Sequence, residues 1–189
     1  MKKISIKTTT IIFALILTAI TILSSCSGKG RDGITYDAVA AMIEREVSAP
    51  SGTIYTDSAE EGESGYISPM LEKVLWGEHG QIGSDVDSGI SSDKTGAIKH
   101  VRQYSHFLSS FEHPCEFAVF ECYTKSGAYE VSKMCLARLG TLRSTWKNNK
   151  NEKYTAYAEN AQVCVKGRYV IMAVSSDPET AIRAARKII

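Results

Sequence analysis

Apolar and polar positions change their period several times along the chain, and each change predicts an element. From Thr35 to Val47, Val39, Met42, Ile43 and Glu46/Val47 recur at helical spacing, with Thr35 or Asp37 as the cap. Ala49-Pro50-Ser51-Gly52 ends that helix, and Thr53–Thr56 predicts a short strand. Asp57–Lys99 is the least regular stretch: seven glycines fall between Gly62 and Gly96, mixed with Ser and Asp, so a loosely ordered segment is expected over 57–99. One short helix is predicted inside it, with Ser68 as cap, Pro69 at the first position, Met70, Leu71, Val74, Leu75 and Trp76 along its length, and Gly77 at its end.

Val101–Phe111 alternates, with Tyr104, His106 and Leu108 on one parity, and Glu112-His113-Pro114 turns the chain. Cys115–Thr124 is the strongest strand signal, apolar on both parities, as a strand covered on both faces would be. After a turn at Lys125-Ser126-Gly127, a long helix is predicted over Ala128–Asn149. Val131, Cys135, Leu139, Leu142 and Trp146 form its apolar stripe, and Lys133, Arg138, Arg143 and Lys147 lie mostly on its wet faces. Asn148–Asn151 stops it, and Tyr154 and Tyr157 fall in a connecting segment. Ala161–Val165 and Arg168–Ser175 alternate around Lys166-Gly167, the pattern of a tight hairpin. Asp177 caps a last helix carrying Ala181, Ile182, Ala185 and Ile188. The order from Val101 is β-β-α-β-β-α. It predicts an α+β fold with a two-layer, mainly antiparallel sheet and helices on one face, its core at about 101–189.

The start of the chain has a different pattern. Lys2, Lys3 and Lys7 precede a mainly apolar run, Ile11–Ile22, interrupted by Thr18 and Thr21 and followed by Leu23-Ser24-Ser25-Cys26. A basic region, about a dozen apolar residues and small residues before a cut make a secretory signal peptide. The run is shorter than the ~20 apolar residues a spanning helix needs. Ordinary cleavage would leave a free protein, but the residue after the cut is a cysteine. Leu-Ser-Ser-Cys resembles the lipobox of bacterial lipoproteins, in which the cysteine thiol carries a diacylglycerol and the chain is cut just before it. The resemblance implies a signal peptide at 1–25, lipid attachment at Cys26, and a place on the extracytoplasmic face of the membrane. In lipoproteins of double-membraned bacteria an Asp after the cysteine often signals inner-membrane retention; here that residue is Ser27. Residues 26–34, small, polar and Gly-rich, suit a flexible tether, leaving 35–189 as one α+β domain.

Removing residues 1–25 takes away three lysines and no acids, so the formal net charge of +1 becomes slightly negative. Such a balance gives no electrostatic case for nucleic acid. With Cys26 given to lipid, Cys115, Cys122, Cys135 and Cys164 remain. Their spacing fits no paired zinc site, and each sits in an apolar run, so core packing is preferred; were a disulfide to form, Cys122 with Cys164 is the expected pair.

No cofactor or metal site emerges from the motifs. His79, His100, His106 and His113 show no i, i+4 pairing. His113 beside Cys115 lacks an orienting third group, and Pro114 breaks the strand between them. Asp85-Val86-Asp87-Ser88-Gly89 lacks the further acid and the distant Glu of a calcium loop. Gly28-x-Gly30-x-x-Gly33 precedes no strand-helix unit and reads as tether. Glu116 and Glu121 are five apart, so they face opposite sides of the sheet, and one of them is expected to form a structural ion pair with Arg138 or Arg143.

Cys115-Glu-Phe-Ala-Val-Phe, the helix with Arg138 and Arg143, and Ala161-x-Val163-x3-Gly167-x-Tyr169-Val170 together resemble an uncharacterised family of small lipoproteins from Firmicutes, especially Clostridia, that carry a domain of unknown function. The resemblance covers roughly 101–175 plus the lipobox. It implies an anchored α+β domain and brings no catalytic residues. Two functions follow as expectations. One is a non-catalytic module binding an envelope protein or small ligand; the alternative is an envelope enzyme whose site gathers dispersed residues. Tyr104, Phe107 and Phe111 are the aromatic patch to inspect for binding, with core burial the competing fate.

Overall fold

The computed structural model describes residues 33–46, 50–77, 96–110, 112–148 and 151–189. The expected signal peptide, Cys26, most of the expected tether, His79, the Asp85–Gly89 stretch and Phe111 lie outside the described residues.

Five strands form one antiparallel sheet: β1 (Gly52–Thr56), β2 (Val101–Ser109), β3 (Glu116–Cys122), β4 (Gln162–Lys166) and β5 (Tyr169–Val174), in the order β1-β2-β3-β5-β4. β3 is central and every one of its residues is buried, which explains its unbroken apolarity. Alternate residues of β3 enter two separate cores. Ala118, Phe120 and Cys122 join one; Phe117 and Val119 join the other.

The first core is closed by α2 (Pro69–Trp76), α3 (Lys125–Asn148) and α4 (Glu152–Asn160), through Leu75, Trp76, Val131, Cys135, Leu139, Leu142, Trp146 and Tyr157. The second is closed by α1 (Gly33–Ile43) and α5 (Pro178–Ile188), through Ala38, Val39, Met42, Ala181, Ile182 and Ala185. The α+β class and the antiparallel sheet with packed helices are as expected from the sequence. The helices, however, are not confined to one face: α1 and α5 pack on each other and add a layer opposite α3. The physical reason lies in β2, β3 and β5, which carry apolar side chains on both parities and would expose half of them if only one face were covered.

Several local expectations are met. Ser68 Oγ accepts from Leu71 N–H at the start of α2, with Pro69 at its first position and Gly77 after it. Asp177 accepts from Thr180 N–H at the start of α5. Gly167 has φ +64° in the β4–β5 hairpin, where Lys166 pairs with Tyr169.

Others are corrected. α1 begins at Gly33, inside the segment read as tether, and Thr35 is no cap: it is buried and its hydroxyl lies 3.1 Å from that of Ser105 on β2. Lys125-Ser126-Gly127 is the first turn of α3, with Thr124 Oγ1 accepting from Gly127 N–H. The segment holding Tyr154 and Tyr157 is the helix α4, capped by Asn151. Within 57–99, residues 57–77 and 96–100 are folded as turns, α2 and a 3-10 turn, while 78–95 lie outside the described residues.

Candidate functional site

The β2–β3 hairpin sets Leu108 opposite Glu116 and His106 opposite Ala118, so His106 and Glu116 are diagonal neighbours on the α3 face. Three groups converge there. His106 Nε2 donates to Glu116 Oε1 at 2.8 Å. Arg138, from α3, donates through Nε to Oε1 at 3.1 Å and through its terminal nitrogen to Oε2 at 2.8 Å, a two-pronged grip on one carboxylate. Its other terminal nitrogen is 3.5 Å from the Val74 carbonyl and reaches α2. Arg138 falls among the expected wet positions of α3, yet its side chain is only 13 % exposed. The ion pair expected from sequence is present, with Arg138 as the partner; Arg143 instead donates to the carbonyls of Ala158 and Ala161, at the end of α4.

Burial alone would push the Glu116 carboxyl up. The Arg138 charge and then the His106 hydrogen bond outweigh it and hold the group well below the usual range, at about 2. Glu116 is therefore a carboxylate at neutral pH and an acceptor only, which assigns the shared proton to His106 Nε2.

Aromatic rings wall the network. Trp76 lies over His106 with ring centres 6.2 Å apart and planes 21° apart, and Phe120 meets His106 edge-on. Tyr104 stands 5.1 Å from Trp76, nearly perpendicular to it. Burial, and then the charges of Glu72 and Asp57, push the Tyr104 phenol far above its ordinary value, so it stays protonated. His106 Nδ1 and Trp76 Nε1 are buried and make no hydrogen bond among the described residues. An imidazole held by a carboxylate is the pairing a general base uses, but the His106 side chain is 0 % exposed. As placed, it ties the sheet to α3 and meets no solvent.

Glu121 is on the opposite face, as its spacing from Glu116 required. Its Oε1 accepts from Arg102 at 3.1 Å and from Arg168 at 3.2 Å. A bulge between Val101 and Gln103 interrupts the β2–β3 register at Arg102 and re-aims that side chain.

His113 Nδ1 accepts from the Cys115 N–H at 3.1 Å, and its ring meets Tyr154 at 4.8 Å and Tyr157 at 5.7 Å. Burial lowers its proton affinity, with Lys153 adding to this and Glu46 opposing it. Burial, then Glu46 and Glu116, push the Cys115 thiol up, which withholds the thiolate a nucleophile needs. No His/Cys catalytic pair is assembled there.

All four cysteines described are free. Cys164 pairs with Ile171 and Ile171 with Val119, which puts Cys164 on the α1/α5 face. Cys122 belongs to the α3 face, so the sheet separates the two and the suggested bridge cannot close. Tyr104 and Phe107 are both buried, on opposite faces, and form no surface patch. A shallow concavity of about 420 Å³ runs along α4, lined by Lys147, Glu152, Thr155, Ala156 and Glu159. Among the described residues no three His, Cys, Asp or Glu side chains gather as metal ligands, and no helix is long and apolar enough to cross a membrane.

No protein-family model, curated protein or solved structure matches the chain.

Proposed function

We propose that the protein is an extracytoplasmic lipoprotein, held to the membrane by a diacylglycerol on Cys26, whose folded domain is a non-catalytic module binding a protein or small ligand at the cell envelope. The observation that carries this reading is Leu23-Ser24-Ser25-Cys26 at the end of the apolar run Ile11–Ile22 behind three lysines. A second observation supports the non-catalytic part. The one described imidazole–carboxylate pair with the make-up of acid–base machinery, His106–Glu116, is enclosed by Trp76, Phe120 and Arg138 and serves to join β2, β3 and α3. Two acyl chains supply enough buried CH₂ groups, at about 0.8 kcal/mol each, for stable attachment where one chain holds only marginally.

The test is mass spectrometry of the N-terminal peptide from the native membrane fraction. The expected result is a chain beginning at Cys26 and carrying a diacylglyceryl thioether, with Cys26→Ala blocking both processing and retention. A mature chain that starts at another residue, or that washes off without detergent, would overturn the placement. Affinity capture from native membranes with the mature protein tests the binding role; turnover of an envelope substrate that is abolished by His106→Gln would favour the enzyme instead.

A further inference from the structure

The basic side chains are concentrated at the end of the sheet where the chain enters the domain. α1 starts beside β2: a Cβ added at Gly33 would lie 3.8 Å from the Gln103 side chain, and Thr35 contacts Ser105. At that end Cys122 pairs with Val101 and its N–H reaches the Arg168 carbonyl, and Tyr169 pairs with Glu121 and Lys166. Tyr123 N–H bonds to the His100 carbonyl, so the 3-10 turn with Lys99 and the start of α3 with Lys125 meet there. Lys166 Nζ donates to the carbonyls of Arg186 and Ile189 and brings in the last turn of α5.

Lys99, Arg102, Lys125, Lys166, Arg168, Arg186 and Lys187 are all exposed on this end. The acids at this end are Glu121, which is buried, the terminal carboxylate of Ile189, Asp37 a turn into α1 and, at the β1 edge of the sheet, Asp57, which accepts from the Tyr104 N–H, with Glu60, Glu61 and Glu63 on the turn that follows it. Glu121 fixes two guanidinium groups on one oxygen while their side chains remain 57 % and 45 % exposed, a fork suited to phosphodiester oxygens. Tyr123, 60 % exposed, stands at the same end, and tyrosine favours the membrane–water interface.

We propose that this end of the domain docks on anionic phospholipid headgroups of the membrane that carries the anchor. The inference rests on the lipoprotein reading, since the anchor decides which end meets the membrane. Seven Cα steps separate Cys26 from Gly33, a reach of about 25 Å at full extension. β2 alone spans about 30 Å, so the Gln103 end is held close to the lipid and the Ser109 end is carried away from it. Docking turns a loosely tethered domain into one of fixed orientation, with the β2–β3 turn, α4 and the concavity beside it directed outward.

The test uses lipidated Tyr123→Trp protein in vesicles containing brominated phospholipid, made of phosphatidylcholine alone or with phosphatidylglycerol. The native tryptophans, Trp76 and Trp146, are buried and provide the background. Quenching of the new tryptophan is expected only with phosphatidylglycerol and is expected to fall in high salt. Each cation near an anionic surface is worth about fivefold in binding. Lys99→Glu with Lys125→Glu, which leaves the Glu121 pairs intact, is expected to lower the docked population at least tenfold. Equal quenching in both lipids, no quenching in either, or no effect of the reversal would overturn the proposal. Mass analysis of Cys26 in the same sample separates the two readings. Quenching by phosphatidylglycerol in a chain without lipid would refute the anchor and keep the surface; a lipidated chain without quenching would do the reverse.

Discussion

Replacing Glu116 with Gln tests whether the buried carboxylate holds the domain together. The substitution keeps the volume and removes the charge that Arg138 grips and His106 donates to. Two independent routes give its size. A carboxyl lowered from 4.5 to about 2 contributes roughly 3 kcal/mol at neutral pH by linkage. Breaking one side of a buried pair costs about 3–5 kcal/mol, because the other charge stays behind. The expected loss is therefore about 3 kcal/mol, measured as a drop in the urea midpoint at unchanged slope on the chain starting at Ser27. The pH dependence has a definite sign. The folded carboxyl lies below its unfolded value, so its stabilisation is complete above about pH 5 and is lost as pH falls toward 2. Glu116→Gln should lack that acid slope and approach the parent protein's stability at pH 2–3. Arg138→Met should cost at least as much alone, yet add little on top of Glu116→Gln, because the pair acts as a unit. A Glu116→Gln change under 1 kcal/mol at pH 7, or an acid slope equal to that of the parent, would refute the claim that this contact supports the fold.

The remaining predictions are local. Gly140→Ala should stabilise by about 0.5–1 kcal/mol, since the site is exposed in α3 and a Cβ there meets nothing within 4 Å. Gly127→Ala, in the same helix, should lower the melting temperature instead, because its Cβ would lie 2.8 Å from His100 Cβ. In the native chain from Ser27 a maleimide should label Cys164 first. Burial and then Glu121 raise the Cys122 thiol to about 11, and Cys115 and Cys135 are enclosed with thiols pushed higher still. Rapid labelling of Cys122 in the folded state would contradict its place in the α3 core.

Elements with a strong local signal were legible in the sequence. α2 is bounded by Ser68, Pro69 and Gly77, α5 by Asp177 and Pro178, and the last hairpin by Gly167; each is fixed by residues within one turn. The stripe Val131, Cys135, Leu139, Leu142 and Trp146 is buried as its spacing required. α4 leaves little trace in the sequence because its only deeply buried residues are Tyr157 and Ala158, so a nine-residue helix shows little period. Asn151 followed by Tyr154, Tyr157 and Ala158 was the available cue. The candidate site was half legible. That a carboxylate inside an apolar strand needs a cation follows from solvation alone, and the helix carrying Arg138 is the expected partner of one of Glu116 and Glu121. That His106 completes the group depends on a hairpin register that Ser110–Cys115 does not announce.

The sheet's separation of Cys122 from Cys164, the pair named were a bridge to form, and the unexpected second helical layer have one cause. Alternation along one strand sets parity within that strand but not which face it shares with its neighbours. Face membership passes through the ladder: Cys164 to Ile171 to Val119, with Cys122 three residues beyond Val119 and so on the other side. The same transfer puts Phe107, Phe117, Ile171 and Ala173 together on the face away from α3, an apolar surface too large to leave in water. α1 and α5 cover it, and they are joined at one end by Glu46, which accepts from both the N–H and the hydroxyl of Ser176. α1 thus serves the fold and, under the proposed anchoring, is where the tether enters. Its first residue leads back toward Cys26, and its apolar side seals the second core. Loosening α1 from the sheet should therefore expose Phe117 and Ile171 and, in the proposed anchored form, release the domain from its docked orientation in the same step.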